Sequence, residues 1–280
     1  FCRNIYYFEY KKIRFKLIQN DYRKSCDVLL TIIDNHNNKK AINDAYSAAS
    51  EFLSALSWNN NSKIKMRHLG GNSVAENRNL RKARCVCFVP RTPFYYSTGY
   101  DICEIPKIET NEQKIALLLF MEALSSNNMY FTYLRLYQII ETGGNPKGWI
   151  DNTLSTQRNK VPILDDDIKH LHLRGSSVGE YLKDDCRHAI AHIIRNTGKV
   201  EIKLDSIEDY RKVGTALHLM EKLAKFYIKN ELKLNKYLYL VRKNGKGFPV
   251  FVDAEDMKQY PYKIAYIIKS VKPIRRRKWY

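Results

Sequence analysis

The stretch DDCRHAIAHIIRN, residues 184–196, decides the expected fold of this chain. Its centre is made of small and apolar residues, which is typical of a helix that buries one side. Within six positions it also carries three groups that can hold a positive charge, Arg187, His188 and His192. Because buried charge is costly unless it is paired or used, these side chains are the first candidates for a functional site.

Helices are expected on both sides of this stretch. Ser177 and Glu180 form a capping-box pattern that opens the helix of the stretch itself, which should reach about Asn196. Apolar residues that recur every three or four positions predict three more helices, one that begins after Thr110, one over Met129–Glu141 and one that begins at Ser206. Thr110 and Gln113 form a capping-box pattern at the start of the first of these. Between the helices, Asn145-Pro146 predicts a turn.

Segments with the composition or alternation of β-strands flank the helices, so the chain divides into three parts. We expect a mixed α/β region at 1–108, a helical domain at 109–235, and a β-hairpin region with a basic tail at 236–280. The expected strands are Ile5–Ile18, Val28–Asp34, Lys63–Leu69, Arg84–Val89, Tyr237–Val241, Pro249–Val252 and Tyr262–Val271, with a helix at Ala41–Trp58. If the C-terminal strands rejoin the N-terminal sheet, the helical domain is an insertion.

The chain is strongly basic. Its 280 residues include 48 Lys and Arg against 29 Asp and Glu, a formal net charge of +19. Such a charge favours a polyanionic partner, and DNA, RNA and an anionic membrane surface all fit this observation alone. The longest strongly apolar run, Ile115–Met121, is far shorter than the ~20 residues of a spanning helix, so we expect no membrane partner.

The six cysteines include no C-x-x-C pair, which predicts free thiols in a reducing cytoplasm. A zinc site is the alternative for the histidines, because His188 and His192 are four residues apart and Cys186, His170 or His172 could complete a ligand set. The H-E-x-x-H pattern is absent, and no paired cysteines support zinc. We therefore expect neither a metal nor another cofactor.

The order Arg187-His188-Ala189-Ile190-Ala191-His192 resembles the motif of the HEPN superfamily, in which an arginine is followed by four to six residues and then a histidine. It is most similar to the defence-associated, Apea-like branch, where the residue after the arginine is polar. The resemblance covers roughly residues 110–234. It implies an HEPN-like helical bundle over those residues, and the strand patterns on both sides, which resemble no family, add a smaller mixed β-sheet region, so the expected fold class is α+β. The resemblance also implies a metal-independent endoribonuclease, a toxin or anti-phage defence effector.

These residue types suit RNA cleavage. RNA carries its own nucleophile, the 2′-OH, and a histidine exchanges protons near neutral pH, so His192 can accept that proton or donate one to the 5′-oxygen. Arg187 can hold the scissile phosphate in a bidentate fork and stabilise the added charge of the transition state. His188 is assigned an auxiliary role beside them. The expected products are a 2′,3′-cyclic phosphate and a 5′-OH, and DNA is excluded as a substrate because it lacks the 2′-OH.

Further basic residues are candidate RNA contacts, namely Arg195, Arg275, Arg276, Arg277 and Lys278. The C-terminal group is followed by Trp279-Tyr280, so this tail combines charge with rings that can stack on bases. The alternative for the tail is a solvated chain terminus.

A homodimer is also expected. Residues five apart on an α-helix differ by about 140° in direction, so Arg187 and His192 would flank a groove instead of sharing one face. HEPN nucleases of this kind meet as dimers, and the resemblance therefore implies that two motifs line one cleft. A neutralising or activating protein partner is a further expectation.

A structural alternative remains open beside the catalytic hypothesis. Arg187 can pair with Asp184 or Asp185, with the histidine as a hydrogen-bonded core residue. The chain would then be a noncatalytic RNA-binding, nucleotide-binding or sensor subunit of a defence assembly. The spacing alone is weak evidence, because Arg211 and His218, which have six residues between them, also satisfy it.

Overall fold

The chain folds as an α+β protein in a computed structural model that describes residues 5–18, 28–32, 39–64, 102–157, 160–161, 165–171, 173–193, 207–242 and 249–259. It separates into two compact units. The sheet unit comprises the described residues of Phe1–Ser62, Met66–Lys107 and Tyr237–Tyr280, and the helical unit those of Lys63–Lys65 and Ile108–Lys236. Within the described ranges, no helix is both long and apolar enough to cross a bilayer.

The sheet unit is built on six strands drawn from both ends of the chain. They are β1 (Ile5–Tyr10), β2 (Ile13–Ile18), β3 (Val28–Ile32), β4 (Glu104–Pro106), β5 (Tyr237–Val241) and β6 (Val250–Asp253), in the spatial order β3-β2-β1-β6-β5-β4. Strands β1 and β6 are parallel, and the other neighbours are antiparallel. The C-terminal hairpin thus completes the N-terminal sheet. The strands expected at Arg84–Val89 and Tyr262–Val271, and at Lys63–Leu69 beyond Ile64, lie outside the described residues.

The prediction of one strand over Ile5–Ile18 is wrong, because this segment is a two-stranded hairpin. Its turn residues Lys11 and Lys12 have φ angles of 50° and 62°, the left-handed values of a tight hairpin turn. Asn and Gly usually mark such turns, so two lysines gave no sequence signal. A buried carboxylate stabilises the turn: Glu51 accepts a 2.7 Å hydrogen bond from the Tyr10 hydroxyl and forms an ion pair with Lys11.

Helix α1, Lys39–Asn59, covers one face of this sheet with aromatic side chains. The ring of Phe52 lies 4.8 Å from that of Phe8 and 5.9 Å from that of Phe251, measured between centroids. Phe8, Phe15 and Phe52 are almost fully buried. Because these rings come from the helix and from strands at both ends of the chain, apolar burial holds the sheet unit together.

The helical unit contains seven α-helical segments within the described residues. They are α2 (Asn111–Ser125), α3 (Met129–Glu141), α4 (Pro146–Thr156), α5 (Asp165–Lys169), α6 (Val178–Glu180), α7 (Ala189–Ile193) and α8 (Ile207–Asn230). The helix predicted over Met129–Glu141 is confirmed at both ends. The capping box before α2 is also confirmed, since Gln113 N donates to Thr110 Oγ1 and Thr110 N donates to Gln113 Oε1, both at 3.2 Å.

The turn predicted at Asn145-Pro146 is wrong, because this pair opens helix α4. Asn145 is the N-cap and accepts a 3.1 Å hydrogen bond from Gly148 N. Pro146 occupies the first helical turn, where a missing N–H leaves no hydrogen bond unmade. Asn and Pro favour turns and helix starts alike, so the pair alone does not distinguish the two.

The stretch that suggested the fold is helical, but it is not a uniform α-helix. It consists of α6, a π-helical segment over Tyr181–His188, and α7, and we call this whole element, Val178–Ile193, the motif helix. The serine half of the predicted capping box is confirmed, with Glu180 N donating to Ser177 Oγ at 3.1 Å, while the Glu180 carboxylate pairs with Lys147. The end expected near Asn196 lies outside the described residues.

Helix α4 fixes the start of the motif helix through one carboxylate. Asp151 accepts hydrogen bonds from Gly179 N at 2.8 Å and from Ser177 Oγ at 2.7 Å. An anionic side chain at a helix N-terminus also interacts favourably with the helix dipole. The two backbones are so close that a Cβ at position 179 would lie 2.5 Å from the carbonyl oxygen of Lys147. Glycine at 179 therefore permits this packing.

We predict that Gly179→Ala destabilises the protein by about 1–3 kcal/mol, because the backbone of α4 must move to make room for the methyl group. The matched control is Gly214→Ala in α8, where an added Cβ meets no described atom within 4 Å. That substitution should raise the free energy of unfolding by about 0.4–1 kcal/mol, because alanine lowers the conformational entropy of the unfolded chain. Urea unfolding monitored by circular dichroism measures both changes. Equal effects of the two substitutions would contradict the close packing at Gly179.

Candidate functional site

Arg187 lies near the end of the π-helical segment and beside the end of helix α3. Its Nη2 atom is 3.1 Å from Oε1 of Glu141, the last residue of α3. The side chains of Arg187 and Glu141 are 33% and 31% exposed, so neither charge is fully buried. The pair orients the guanidinium at the surface, where it can still be reached by a ligand.

The two aspartates that the structural alternative offered to Arg187 pair with other groups. Asp184 Oδ1 lies 3.9 Å from Nδ1 of His188, one helical turn away. Asp185 Oδ1 lies 3.5 Å from Nζ of Lys212 on α8. The named partners of Arg187 were therefore wrong, but the expectation that it forms an ion pair is met by Glu141.

The opposite side of the motif helix is completely buried. Cys186 has no exposed surface, and burial raises the pKa of its thiol to about 12. The thiol is therefore protonated at neutral pH and is a poor nucleophile and a poor metal ligand. Tyr133 on α3 and Tyr181 lie close to the thiol, and both are almost fully buried.

A hydrogen bond from α3 supports the π-helical geometry. The buried hydroxyl of Tyr133 donates to the carbonyl oxygen of Leu182 at 2.7 Å. In an α-helix that oxygen would accept from the amide four residues later, whereas a π-helix pairs residues five apart and widens the turn. The Tyr133 hydroxyl gives the Leu182 carbonyl a donor from outside the motif helix, which compensates in part for the weaker backbone hydrogen bonds of the wider turn.

Tyr137, one turn after Tyr133 on α3, has a different environment. Its side chain is fully buried, and its hydroxyl has no hydrogen-bond partner among the described atoms. Burial raises the pKa of Tyr137, the nearby carboxylates of Glu141 and Asp184 raise it further, and Arg187 opposes them. The hydroxyl is therefore a protonated donor close to the ion pair of the site.

The structure brings together only part of the predicted site. Arg187 and His188 are placed as described, and His192 lies on α7, with its side chain outside the described part. The candidate RNA contacts Arg195, Arg275, Arg276, Arg277 and Lys278 all lie outside the described residues. The 140° offset between Arg187 and His192 assumed a regular α-helix, and the π-helical turn at Arg187 removes that premise.

Sequence reasoning did not connect three residues of α3 with the motif helix, namely Glu141, which pairs with Arg187, Tyr137, which lies near that ion pair, and Tyr133, which donates to the Leu182 carbonyl. Their spacing of four places them on one face of a helix, and Glu141 ends an otherwise apolar and aromatic stripe. That change of chemistry along one face was the available signal. It could not show which partner Glu141 would meet, because the pairing joins residues 46 positions apart in sequence.

The second pair with suitable spacing lies elsewhere on α8. Arg211 and His218 are both exposed, and His218 Nε2 is 3.4 Å from Asp167 Oδ1. Asp167 also pairs with Lys222 at 2.6 Å, so its carboxylate joins α5 to α8. Across the described ranges, no group of three or more His, Cys, Asp or Glu side chains is arranged to hold a metal ion.

A comparison with protein families bears on the helical unit. A family model described as Methylamine utilization protein MauJ matches residues 116–229. The matched interval runs from α2 into α8 and includes the whole motif helix, which supports a related helical fold for this part of the chain. No curated protein and no solved structure matches the chain.

We predict that Arg187→Ala and Glu141→Ala each leave the protein folded, with a coupling free energy of about 0.2–1 kcal/mol in a double-mutant cycle. Partly exposed ion pairs reach only this range because water screens them. The control cycle is Arg135 with Glu122, a 2.8 Å pair of similar exposure on α3 and α2. Urea unfolding of the four proteins in each cycle gives the two values. A coupling of several kcal/mol for Arg187 alone would make the pair a principal structural contact.

Proposed function

We propose that this chain is a metal-independent endoribonuclease of the HEPN type, with Arg187 and His192 as its catalytic residues. The observation that carries the proposal is the position of Arg187. It combines an accessible guanidinium with a π-helical segment, a rare geometry that is frequent at functional sites. The helical fold and the basic net charge support the same conclusion.

In the proposed reaction the protein supplies charge and proton transfer, and the RNA supplies the nucleophile. Arg187 binds the scissile phosphate and stabilises the charge that builds on its oxygens. His192 removes the proton from the 2′-OH as that oxygen attacks phosphorus, and the bond to the 5′-oxygen breaks. The departing 5′-oxygen takes a proton, which leaves a 2′,3′-cyclic phosphate on one product. His188, held beside Asp184, assists at the phosphate.

We also propose that two copies of the chain form the working enzyme. In a single protomer a phosphate must compete with Glu141 for Arg187, so one arginine binds the phosphate less strongly than a free guanidinium would. A second motif facing the first would supply a second arginine to the same cleft. This reason replaces the geometric one that assumed a regular α-helix.

We predict that the purified protein cleaves single-stranded RNA in EDTA, and that Arg187→Ala and His192→Ala each reduce the rate by at least about 100-fold. Loss of a charged phosphate ligand or of a proton-transfer group has effects of this size. Arg135→Ala is the matched control, since Arg135 is also an ion-paired arginine of the helical unit. Gel analysis of products, with chemical assignment of the 2′,3′-cyclic phosphate, is the measurement. Cleavage that persists in both variants would refute the assignment.

We predict a mass of twice the 33.0 kDa chain in sedimentation at micromolar concentration. Because two cationic motifs would face one another, dimerisation should strengthen when salt or a bound polyanion screens their repulsion. The measurement is repeated at several ionic strengths. A monomer that retains full ribonuclease activity would show that one copy suffices.

A second candidate function is a noncatalytic RNA-binding or sensor subunit of a defence assembly. The observation that favours it is the Arg187–Glu141 ion pair, since a purely structural arginine would also be paired. This candidate requires RNA binding with a steep salt dependence and no cleavage. Growth on expression offers a simple comparison, because an unrestrained ribonuclease should slow growth and Arg187→Ala should relieve that effect.

A further inference from the structure

Four buried polar atoms among the described residues of the helical unit have no hydrogen-bond partner, namely the hydroxyls of Tyr130, Tyr137 and Thr153 and the indole nitrogen of Trp149. The hydroxyl of Tyr137 is distinguished by the charges of Glu141 and Arg187 around it. The Tyr137 ring is stacked on that of Tyr133, with centroids 6.3 Å apart and planes inclined by 20°. A phenylalanine would fill the same space without burying an unsatisfied polar atom. Because buried polar groups are nearly always hydrogen-bonded, an exception calls for a functional or structural reason.

The neighbouring tyrosine shows what a structural hydroxyl does in this setting. Tyr133 lies on the same helix and is equally buried, and its hydroxyl donates to the Leu182 carbonyl at 2.7 Å. Tyr137 makes no such bond within the described part of the chain. The two residues can therefore be compared directly, because the Tyr133 hydroxyl makes a structural hydrogen bond and the Tyr137 hydroxyl makes none within the described part of the chain.

The charges around Tyr137 identify what its hydroxyl can serve. Glu141 follows it by one turn on α3 and holds Arg187 at 3.1 Å, and Asp184 contributes a second carboxylate to the surroundings. If an anion takes the guanidinium, Glu141 loses its counterion while a new negative charge approaches it. A hydrogen-bond donor beside Glu141 would then relieve the unfavourable charge.

We propose that Arg187, Glu141 and Tyr137 form a phosphate-exchange site, in which a phosphate group takes Arg187 from Glu141 and the Tyr137 hydroxyl then donates to the released carboxylate. The proposal rests on the proposed function only in identifying the phosphate as part of RNA. No covalent bond changes in this exchange. Tyr137 is a positioning residue, since it acts on the ligand through Glu141 and Arg187.

The exchange is physically reasonable because a phosphate binds the Arg187 guanidinium more strongly than Glu141 does. A guanidinium holds a phosphate with two parallel charge-assisted hydrogen bonds, whereas Nη2 of Arg187 meets one oxygen of Glu141 in the resting chain. Because the Arg187–Glu141 ion pair is partly exposed to water, little free energy is needed to separate its two side chains. Tyr137 then replaces the hydrogen bond that Glu141 loses, so the carboxylate is never left without a donor.

The test compares Tyr137→Phe with Tyr133→Phe, two identical removals of a buried hydroxyl one helical turn apart. Tyr137→Phe should leave the urea midpoint unchanged or raise it, while inorganic phosphate binds about tenfold more weakly, the effect of one lost hydrogen bond to a charged group. Tyr133→Phe should lower the urea midpoint, because the Leu182 carbonyl loses its donor. Phosphate affinity is read from the shift of the thermal midpoint with phosphate concentration.

A second comparison uses Glu141→Ala, which removes the carboxylate that Tyr137 is proposed to serve. In that background Tyr137→Phe should no longer change phosphate affinity, so the two substitutions are non-additive. Full additivity would overturn the proposal, as would a destabilised Tyr137→Phe protein with normal phosphate binding. A wild-type protein that binds neither inorganic phosphate nor an RNA oligonucleotide through Arg187 would overturn it as well.

The source of the phosphate is resolved by two ligands used side by side. Binding of a single-stranded RNA oligonucleotide that depends on Arg187 and Tyr137, without cleavage, would support the exchange site and count against the ribonuclease. Binding of inorganic phosphate alone would support the exchange site and assign it to free phosphate. Cleavage that is unaffected by Tyr137→Phe, together with unchanged phosphate affinity, would retain the ribonuclease and overturn the exchange.

Discussion

The motif helix must bury one side completely while presenting charged groups on the other, and the rest of the helical unit depends on this constraint. Cys186 has no exposed surface, and Arg187, the next residue, is one-third exposed. The buried side is closed by α3, whose Tyr133 hydroxyl bonds the Leu182 carbonyl. A buried hydrogen bond of this kind contributes about 1 kcal/mol, and its loss would strand a carbonyl in the core. The π-helical segment and the direction of Arg187 are therefore linked to one contact from α3.

Ion pairs around the motif helix add orientation more than stability. Glu141 meets Arg187, Lys212 meets Asp185, and Lys147 meets Glu180 at 3.2 Å. Their side chains are all partly exposed, so each pair contributes about 0–1 kcal/mol. The apolar core between α3 and α8 stabilises the unit more, since the side chains of Leu219, Met220 and Leu223 are fully buried. Ion pairs of this strength can reorganise when a ligand arrives without unfolding the core that carries them.

Sequence reasoning succeeded where local chemistry determines structure. Helix α3 was predicted at both ends from its apolar periodicity, with which the observed Asn128 cap agrees, and the capping box before α2 is visible in four residues. It failed where the local signal is ambiguous, as at Asn145-Pro146, or where tertiary contacts override it, as at Lys11-Lys12. There a left-handed backbone is held by Glu51 from a helix 40 residues away.

The same distinction applies to the site. Arg187 and His188 could be singled out because three cation-capable residues in one half-apolar stretch are unusual. Glu141 and Tyr137 could not be linked to Arg187, since nothing local pairs residues so far apart in sequence. Nothing in the sequence indicated the π-helical segment either, and its Leu182 carbonyl accepts a hydrogen bond from Tyr133 on another helix. For that reason the angle between Arg187 and His192 could not be derived from regular helix geometry.

The free-energy balance around Arg187 argues that this region is not arranged for stability alone. An unsatisfied buried hydroxyl such as that of Tyr137 costs about 1–3 kcal/mol, while the adjacent Arg187–Glu141 pair returns about 0–1 kcal/mol. Eight residues of π-helix add a further cost, because their hydrogen bonds are poorer than those of an α-helix. All three features lie within the last turn of α3 and the π-helical segment of the motif helix. Locally unfavourable interactions that coincide at an accessible charged residue are the expected signature of a binding or catalytic site, since core packing elsewhere must offset them.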